Sequence, residues 1–305
     1  MHSYKIIAVN DGGRSFPSEV LSVGAAPNSK GTVMVVNGFT RVSGPDWYDS
    51  GERAGFDDAK DHGVPYMQQI NYIGSQFEFR RGLPWRDDDA GGESILKSGY
   101  SFVSTSVKAV DEGTVYLNDY KLVDLILGKQ KETINGRGAY ASRYTAFTPG
   151  LIDAITNYTK AGGNILVSGA YVASDIWDRD SVNYAETHFA EQVLGYTYLK
   201  GQAAVEGKVF CVPSRFASLS GDGELSFVQK LNTKVYAVES PDAIKASDDA
   251  GATIMRYREN NIPAGIASQR AGYRTVVLGF PIEVIDNTAQ RDAVMGNVLK
   301  FFGEK

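Results

Sequence analysis

The chain has 305 residues and a mass of 33.1 kDa, with 43% hydrophobic and 22% charged residues, a balance that supports a sizeable core and excludes a wholly disordered chain. Its 31 basic and 36 acidic residues give a net charge of −5 and are dispersed along the sequence, which excludes the basic stripe of a nucleic-acid binder. A single cysteine, Cys211, excludes an internal disulfide, and no apolar run approaches the roughly 20 residues of a membrane span.

Length alone predicts about two domains, or one large α/β domain with an appendage. The first segment holds two β-prone runs, Tyr4 to Asn10 and Phe16 to Val23, on either side of Asp11-Gly12-Gly13-Arg14-Ser15. This pattern predicts a hairpin. An aromatic leading into Ala8-Val9-Asn10, then Gly and Ser, then Pro17-Ser18-Glu19-Val20, resembles the last two strands of a fibronectin type III domain. An isolated hairpin is marginal in water, so residues 1–24 are expected either to pack on the neighbouring domain or to be the remnant of a fibronectin type III domain, and the remnant is the preferred reading. Residues 25–31 read as a linker and 32–305 as the main domain.

Thr32-Val33-Met34-Val35-Val36 is a short, wholly apolar run of the kind buried on both faces. The signature recurs at Leu122 to Leu127, Asn164 to Ser168 and Arg274 to Gly279, and together the four predict a parallel sheet. A helix opens at Thr148-Pro149 and stops at Ala161-Gly162-Gly163. A second is predicted over 182–194, closed by Gly195, and a third from about Ala289 to Phe302. Between Ala203 and Ala271, short runs at Val209 to Val212, Lys234 to Val238 and Thr253 to Tyr257 lack intervening long helices. They read as an antiparallel extension. The predicted fold is therefore an α/β three-layer sandwich, with a mostly parallel sheet of amidotransferase or flavodoxin-like type extended by antiparallel strands, plus the N-terminal β-hairpin.

Ligands of open α/β sheets bind beyond the carboxyl ends of the strands. That rule selects Asn37-Gly38-Phe39, Ser104-Thr105-Ser106, Gly128-Lys129-Gln130 and Gly169-Ala170-Tyr171. The last occupies the place of a nucleophile elbow, yet has no Ser or Cys at its centre. Ser168 precedes it and Ser174-Asp175 follows. A relay of Ser174 or Ser168 with Asp175 and His188 is the candidate catalytic set, and Asp175 with Asp178 and Asp180 is a candidate carboxylate pair for glycosidic cleavage. The plainer expectations are a capping Asp175 and structural histidines at His62 and His188.

Asn37, Trp47, Trp85, Tyr171 and Trp177 are candidate ligand-binding residues, because aromatic faces with polar tips suit sugar rings. Tyr48 and Tyr72 accompany them. Asp87 and Asp89, within Trp85-Arg86-Asp87-Asp88-Asp89-Ala90-Gly91-Gly92-Glu93, are candidate ligands for calcium, against the simpler expectation of a solvated loop and no metal. Gly128-Lys129 lacks the partner glycine and Ser or Thr of a phosphate loop. No nucleotide and no other cofactor is expected.

The run Tyr158 to Tyr171, the later Phe189 to Tyr196 and the closing Val277-Leu278-Gly279-Phe280-Pro281-Ile282-Glu283 resemble class I glutamine amidotransferase-like domains. Active members carry a cysteine at the elbow and a late histidine and glutamate. Here the elbow is Gly169-Ala170-Tyr171 and no histidine follows His188, so the resemblance implies a degenerate, non-catalytic copy. Together with the hairpin, the phrases Val123 to Gln130 and Ser168 to Asp175 resemble the C-terminal region of large secreted bacterial proteins described as N-acetylmuramoyl-L-alanine amidases or xanthan lyases. The resemblance implies a secreted, periplasmic or cell-surface setting and an accessory role in binding or scaffolding, with saccharide, peptidoglycan or other domains of the same chain as partners. The alternative is a peptidoglycan hydrolase or polysaccharide lyase.

Overall fold

The computed structural model describes residues 1–15, 18–64, 94–136, 138, 141–220, 223–230 and 235–304. In chain order the strands are β1 (His2–Tyr4), β2 (Val9–Asn10), β3 (Gly13–Arg14), β4 (Leu21–Gly24), β5 (Thr32–Asn37), β6 (Trp47–Asp49), β7 (Ala54–Phe56), β8 (Ser101–Ser106), β9 (Leu122–Gly128), β10 (Thr133–Asn135) and β11 (Ser142–Tyr144). They continue as β12 (Asn164–Gly169), β13 (Tyr196–Lys200), β14 (Lys208–Cys211), β15 (Glu224–Ser226), β16 (Ala243–Ala246), β17 (Gly251–Tyr257), β18 (Pro263–Arg270) and β19 (Tyr273–Leu278). Eleven strands form one sheet in the order β1-β4-β8-β5-β9-β12-β19-β18-β17-β14-β15.

The fold is mixed α/β. The four apolar runs singled out in the sequence are the contiguous parallel strands β5, β9, β12 and β19, with β8 parallel on the far side of β5. The expectation of a mostly parallel sheet is corrected, because six of the ten neighbouring pairs are antiparallel. The reason lies in the connections. Parallel neighbours need long crossovers, supplied here by segments such as the Pro149–Lys160 helix, whereas β17, β18 and β19 follow one another through short turns, which produce antiparallel partners. Lys234 to Val238 was expected as a strand; of it, Val235 to Val238 is irregular and buried. Pro263–Arg270 is a strand that the sequence reading missed.

The predicted N-terminal hairpin forms. β2 pairs with β3 and β1 with β4, and β4 continues onto β8 through Val23 opposite Val103, so the hairpin extends the main sheet.

Both faces of the central strands are buried. Val33 and Val35 enter one apolar cluster with Leu122, Ile126 and Leu166; Met34 and Val36 enter the other with Val123, Leu125 and Val167. This is the period-2 alternation of a doubly covered strand, and each such side chain contributes about 1.5–3 kcal/mol on burial. Asp124 breaks the pattern. It stands between Val35 and Leu166 in the register, is 1% exposed, and neither carboxylate oxygen accepts a hydrogen bond. Burial, reinforced by the charge of Glu283, pushes its pKa well above the carboxylate range.

The helix predicted from Thr148-Pro149 spans Pro149–Lys160, with Thr148 as N-cap accepting from the Leu151 amide. Loss of that cap in Thr148→Ala is expected to cost about 1 kcal/mol in a urea melt; Asp111 Oδ1 also accepts from Leu151 and limits the loss. The segment predicted over 182–194 is the Tyr184–His188 helix followed by a π-helical stretch to Leu194. Gly195 ends it at φ 86°, where a Cβ would lie 2.4 Å from Ser268 Oγ. The last helix, Thr288–Gly303, lays Val294, Met295, Val298 and Leu299 on the sheet.

Candidate functional site

β5, β9 and β12 end side by side, and their turns are stitched together. Gly38 N donates to Ile126 O, and Ala170 N to Gly128 O. Gly128 has φ +51°, and a Cβ there would meet the Phe39 ring at 2.4 Å, so glycine is required for this close approach. Just beyond these turns lies a buried ionic cluster. Arg41 Nη2 reaches Asp61 Oδ2 at 2.5 Å, Lys129 Nζ reaches Asp61 Oδ1 at 3.0 Å and Glu239 Oε1 at 2.6 Å, and Lys131 Nζ reaches Asp61 Oδ2 at 2.9 Å. Asp61 is fully buried, and Lys129 and Arg41 nearly so.

Burial alone would raise the Asp61 pKa, but Lys129, Arg41 and Lys131 outweigh it and hold the carboxyl well below its usual range. Backbone groups complete the cluster: His62 N donates to Glu239 Oε1, Gly63 N to Asp61 Oδ1, and Arg41 Nη1 to Lys129 O. Gln130 Oε1 accepts from the Thr40 and Arg41 amides. Chemically this is a clamp that joins four distant segments. Its cations face carboxylates, and Arg41 Nε also donates to Thr133 Oγ1 at 2.7 Å. Tyr171 lies beneath Lys131, whose Nζ is 4.7 Å from the ring centroid; burial first, then the charges of Asp61 and Glu239, push its phenol far above the ordinary range.

The expected Ser–Asp–His relay is not assembled. Asp175 is buried and spends its carboxylate on Arg179 at 2.8 Å, Thr145 Oγ1, the Ala146 amide and the Glu132 amide. His188 is exposed and stacks on Tyr184 with centroids 5.6 Å apart. Ser168 is buried with its hydroxyl unpartnered. Asp178 and Asp180 stand in solvent, so the carboxylate pair proposed with Asp175 does not share a cleft. Nor does Asp175 cap its own helix: it caps loop amides instead, because Ala173 is the residue at the N-cap.

Ser174 has a different acidic neighbour. Asp242 is fully buried, and its Oδ2 accepts from the Ala173 amide at 2.8 Å and the Ser174 amide at 2.7 Å, while Oδ1 has no partner. Desolvation raises its pKa to about 7, against the opposing effect of these hydrogen bonds.

The expected aromatic cleft is divided. Asn37 is buried and spends both polar atoms, accepting from Phe39 N and donating to Glu19. Ser104 bonds Ser22 and Ser106 caps the Val107–Asp111 helix, both from within β8 rather than from a loop. Trp177 packs inward on Tyr198, the rings nearly parallel with centroids 6.4 Å apart. Tyr72, Trp85, Asp87 and Asp89 lie outside the described residues. Among the described residues, no three His, Cys, Asp or Glu side chains are gathered to hold a metal ion.

Among the described residues proposed for binding, Trp47 and its neighbour Tyr48 face solvent. Trp47 is 69% exposed in β6, directly opposite Phe56 of β7 at 72%, with Tyr48 beside them at 49%. The hairpin is rooted on the ionic cluster, since Asp46 N donates to Asp61 O, Asp61 N to Asp57 O, and Lys60 pairs with Asp46 at 3.0 Å. The sequence reading missed Arg41, Asp61 and Glu239; the one local signal was a lysine, Lys129, directly after a buried, largely apolar strand.

No family model and no curated protein matches the chain. Among solved structures, a cytoplasmic protein, STM3548 from Salmonella typhimurium, aligns over 90% of this chain and 99% of its own at 15% identity and a TM-score of 0.50. A polyextremophilic β-galactosidase from the Antarctic haloarchaeon Halorubrum lacusprofundi is 13% identical, with a TM-score of 0.45; the match covers 92% of this chain but 31% of the enzyme. The mmIFT52 N-terminal domain is 16% identical over 69% of this chain and 87% of its own, with a TM-score of 0.45. At these identities the likeness is one of fold. Among the described residues no helix is long and apolar enough to cross a membrane.

Proposed function

We propose that the chain is a non-catalytic accessory module of amidotransferase-like type, headed by a hairpin of fibronectin type III type, in a secreted or cell-surface protein that processes cell wall or polysaccharide. The three-layer arrangement belongs to this reading and is supported by the two apolar clusters, one on each face of the central strands. Separation of His188 from Asp175 favours a binding role over the hydrolase or lyase alternative. The carrying observation is the exposed Trp47 and Phe56 pair, held on a hairpin whose root is hydrogen-bonded to a buried ionic cluster. Adjacent aromatic faces on a fixed platform stack sugar rings without a large ordering cost. Asp49 and Arg53 flank them with polar groups.

Titration with chitin and muropeptide oligomers, followed by tryptophan fluorescence, tests the reading. Trp47→Ala is expected to weaken saccharide binding at least about tenfold, the loss of one stacking contact worth about 1.4 kcal/mol, while leaving the melting temperature unchanged. Absence of any saccharide-dependent change in the wild-type protein, or equal binding by Trp47→Ala, would overturn it.

A further inference from the structure

The Thr288–Gly303 helix does not fully close onto the antiparallel half of the sheet. A cavity of about 140 Å³ remains, lined by Cys211, Leu225, Met255, Leu278, Val294 and Val298. Glu224, Gln290 and Asn297 line it too; Gln290 Nε2 donates to Glu224 O at 2.8 Å and joins the helix to the sheet edge. Asn297 is exposed.

Three features decide what such a space holds. Most of its wall is hydrocarbon, thioether or the Cys211 thiol, with Glu224, Gln290 and Asn297 as the polar minority, so the space offers an apolar ligand more contact than it offers water. Its size matches one ring, since an engineered apolar cavity of about 150 Å³ stays dry and takes up benzene. The sheet edge beside it is already occupied: Glu224 O accepts from Gln290, and Ser226 O from Asp286 N. An added peptide strand therefore finds no free carbonyl at these two positions, which argues against a peptide partner as occupant.

We propose that this cavity is a binding site for a compact apolar molecule of about one aromatic ring, entering between the helix and β15. It is independent of the saccharide reading, which concerns the Trp47 hairpin after β5. Bound ligand would replace missing dispersion contacts along the wall and draw the helix and sheet together.

Benzene is the probe. At a free concentration about ten times its Kd, the folding equilibrium constant is expected to rise about tenfold, read as a higher denaturation midpoint. The Met255 methyl carbon should shift in the ¹³C spectrum, and mixed-disulfide formation at Cys211 by a small methanethiosulfonate, which releases methanesulfinate, should slow in the presence of benzene. Val294→Phe, which fills the space, is expected to abolish the gain in stability, and Trp47→Ala to retain it. The thiol measurement needs no variant and decides the matter even where Val294→Phe fails to fold. No change in midpoint and in Cys211 rate, or an equal benzene effect in folded Val294→Phe, would overturn the proposal.

Discussion

Replacing Lys129 with methionine is expected to lower the stability of the protein by roughly 3–5 kcal/mol, the range for removing one partner of a buried ion pair. The side chain is 2% exposed and its Nζ meets Asp61 and Glu239 together. Without it, Glu239 keeps only the His62 amide as donor and stands as an uncompensated charge, while Asp61 retains Arg41 and Lys131. Most of the cost therefore falls on Glu239. A second substitution, Glu239→Gln, should recover part of it in a double-mutant cycle. Lys108→Ala provides the contrast: its pair with Glu112 is 3.6 Å long and exposed, and such pairs contribute between nothing and about 1 kcal/mol. Equilibrium urea denaturation of the four variants, the two single mutants of the cycle, their combination and Lys108→Ala, is the measurement. A loss for Lys129→Met no larger than for Lys108→Ala would mean that solvent reaches the cluster.

A pH series on Asp242→Asn is expected to show the second large effect. Native Asp242 keeps its proton to about pH 7, whereas the unfolded carboxyl releases it near 3.8. Between those values the native state binds more protons than the unfolded state, so stability falls as pH rises, and the loss is complete above about pH 7. At 1.36 kcal/mol per unit it amounts to about 4 kcal/mol. Asparagine keeps an oxygen for the Ala173 and Ser174 amides but cannot ionise. It leaves an amide N–H₂ in place of the unpartnered Oδ1, at a cost of about 1–3 kcal/mol. The variant should therefore be more stable than wild type at pH 8, by on the order of 2 kcal/mol, and lose that advantage by pH 4. Glu19, Glu186 and Asp124, whose pKa values burial also raises, are common to both proteins and cancel in the difference. Asp61 acts with the opposite sign: its depressed pKa supplies stability that is present above 3.8 and lost as pH falls through its native value. Parallel stability curves for the two proteins would refute the assignment to Asp242.

Reading the chain alone located the centre of the sheet because each central strand carries its own signature. Val33 to Val36 or Leu122 to Leu127 can be satisfied only by cover on both faces, and Thr148-Pro149 and Gly195 mark helix ends by local chemistry. β18 escaped notice because Pro263, Gly265 and Ser268 are weak strand formers; its pairing with β17 and β19 overrides that preference. The strand ends selected from the sequence do converge, and Lys129, Gln130 and Tyr171 stand there, but Arg41, Asp61 and Glu239, which complete the cluster, come from segments not selected. Asp175 and His188 are near one another in sequence and apart in function, since Asp175 is consumed by Arg179, Thr145 and two loop amides.

Elements with local causes were legible in the residues themselves: the apolar strands, the capped helices, the hairpin turn and the position of the loops. Which charges are buried was settled by long-range contacts alone. Arg41 meets Asp61 across 20 positions and Lys129 meets Glu239 across 110, and nothing in a run such as Gly128-Lys129-Gln130 distinguishes a solvated lysine from one that two carboxylates hold in the interior. The same applies to Trp47 and Trp177, alike in sequence as aromatic residues in polar company. One ends exposed on a hairpin and the other stacked on Tyr198, because exposure depends on which distant segment arrives to cover a side chain.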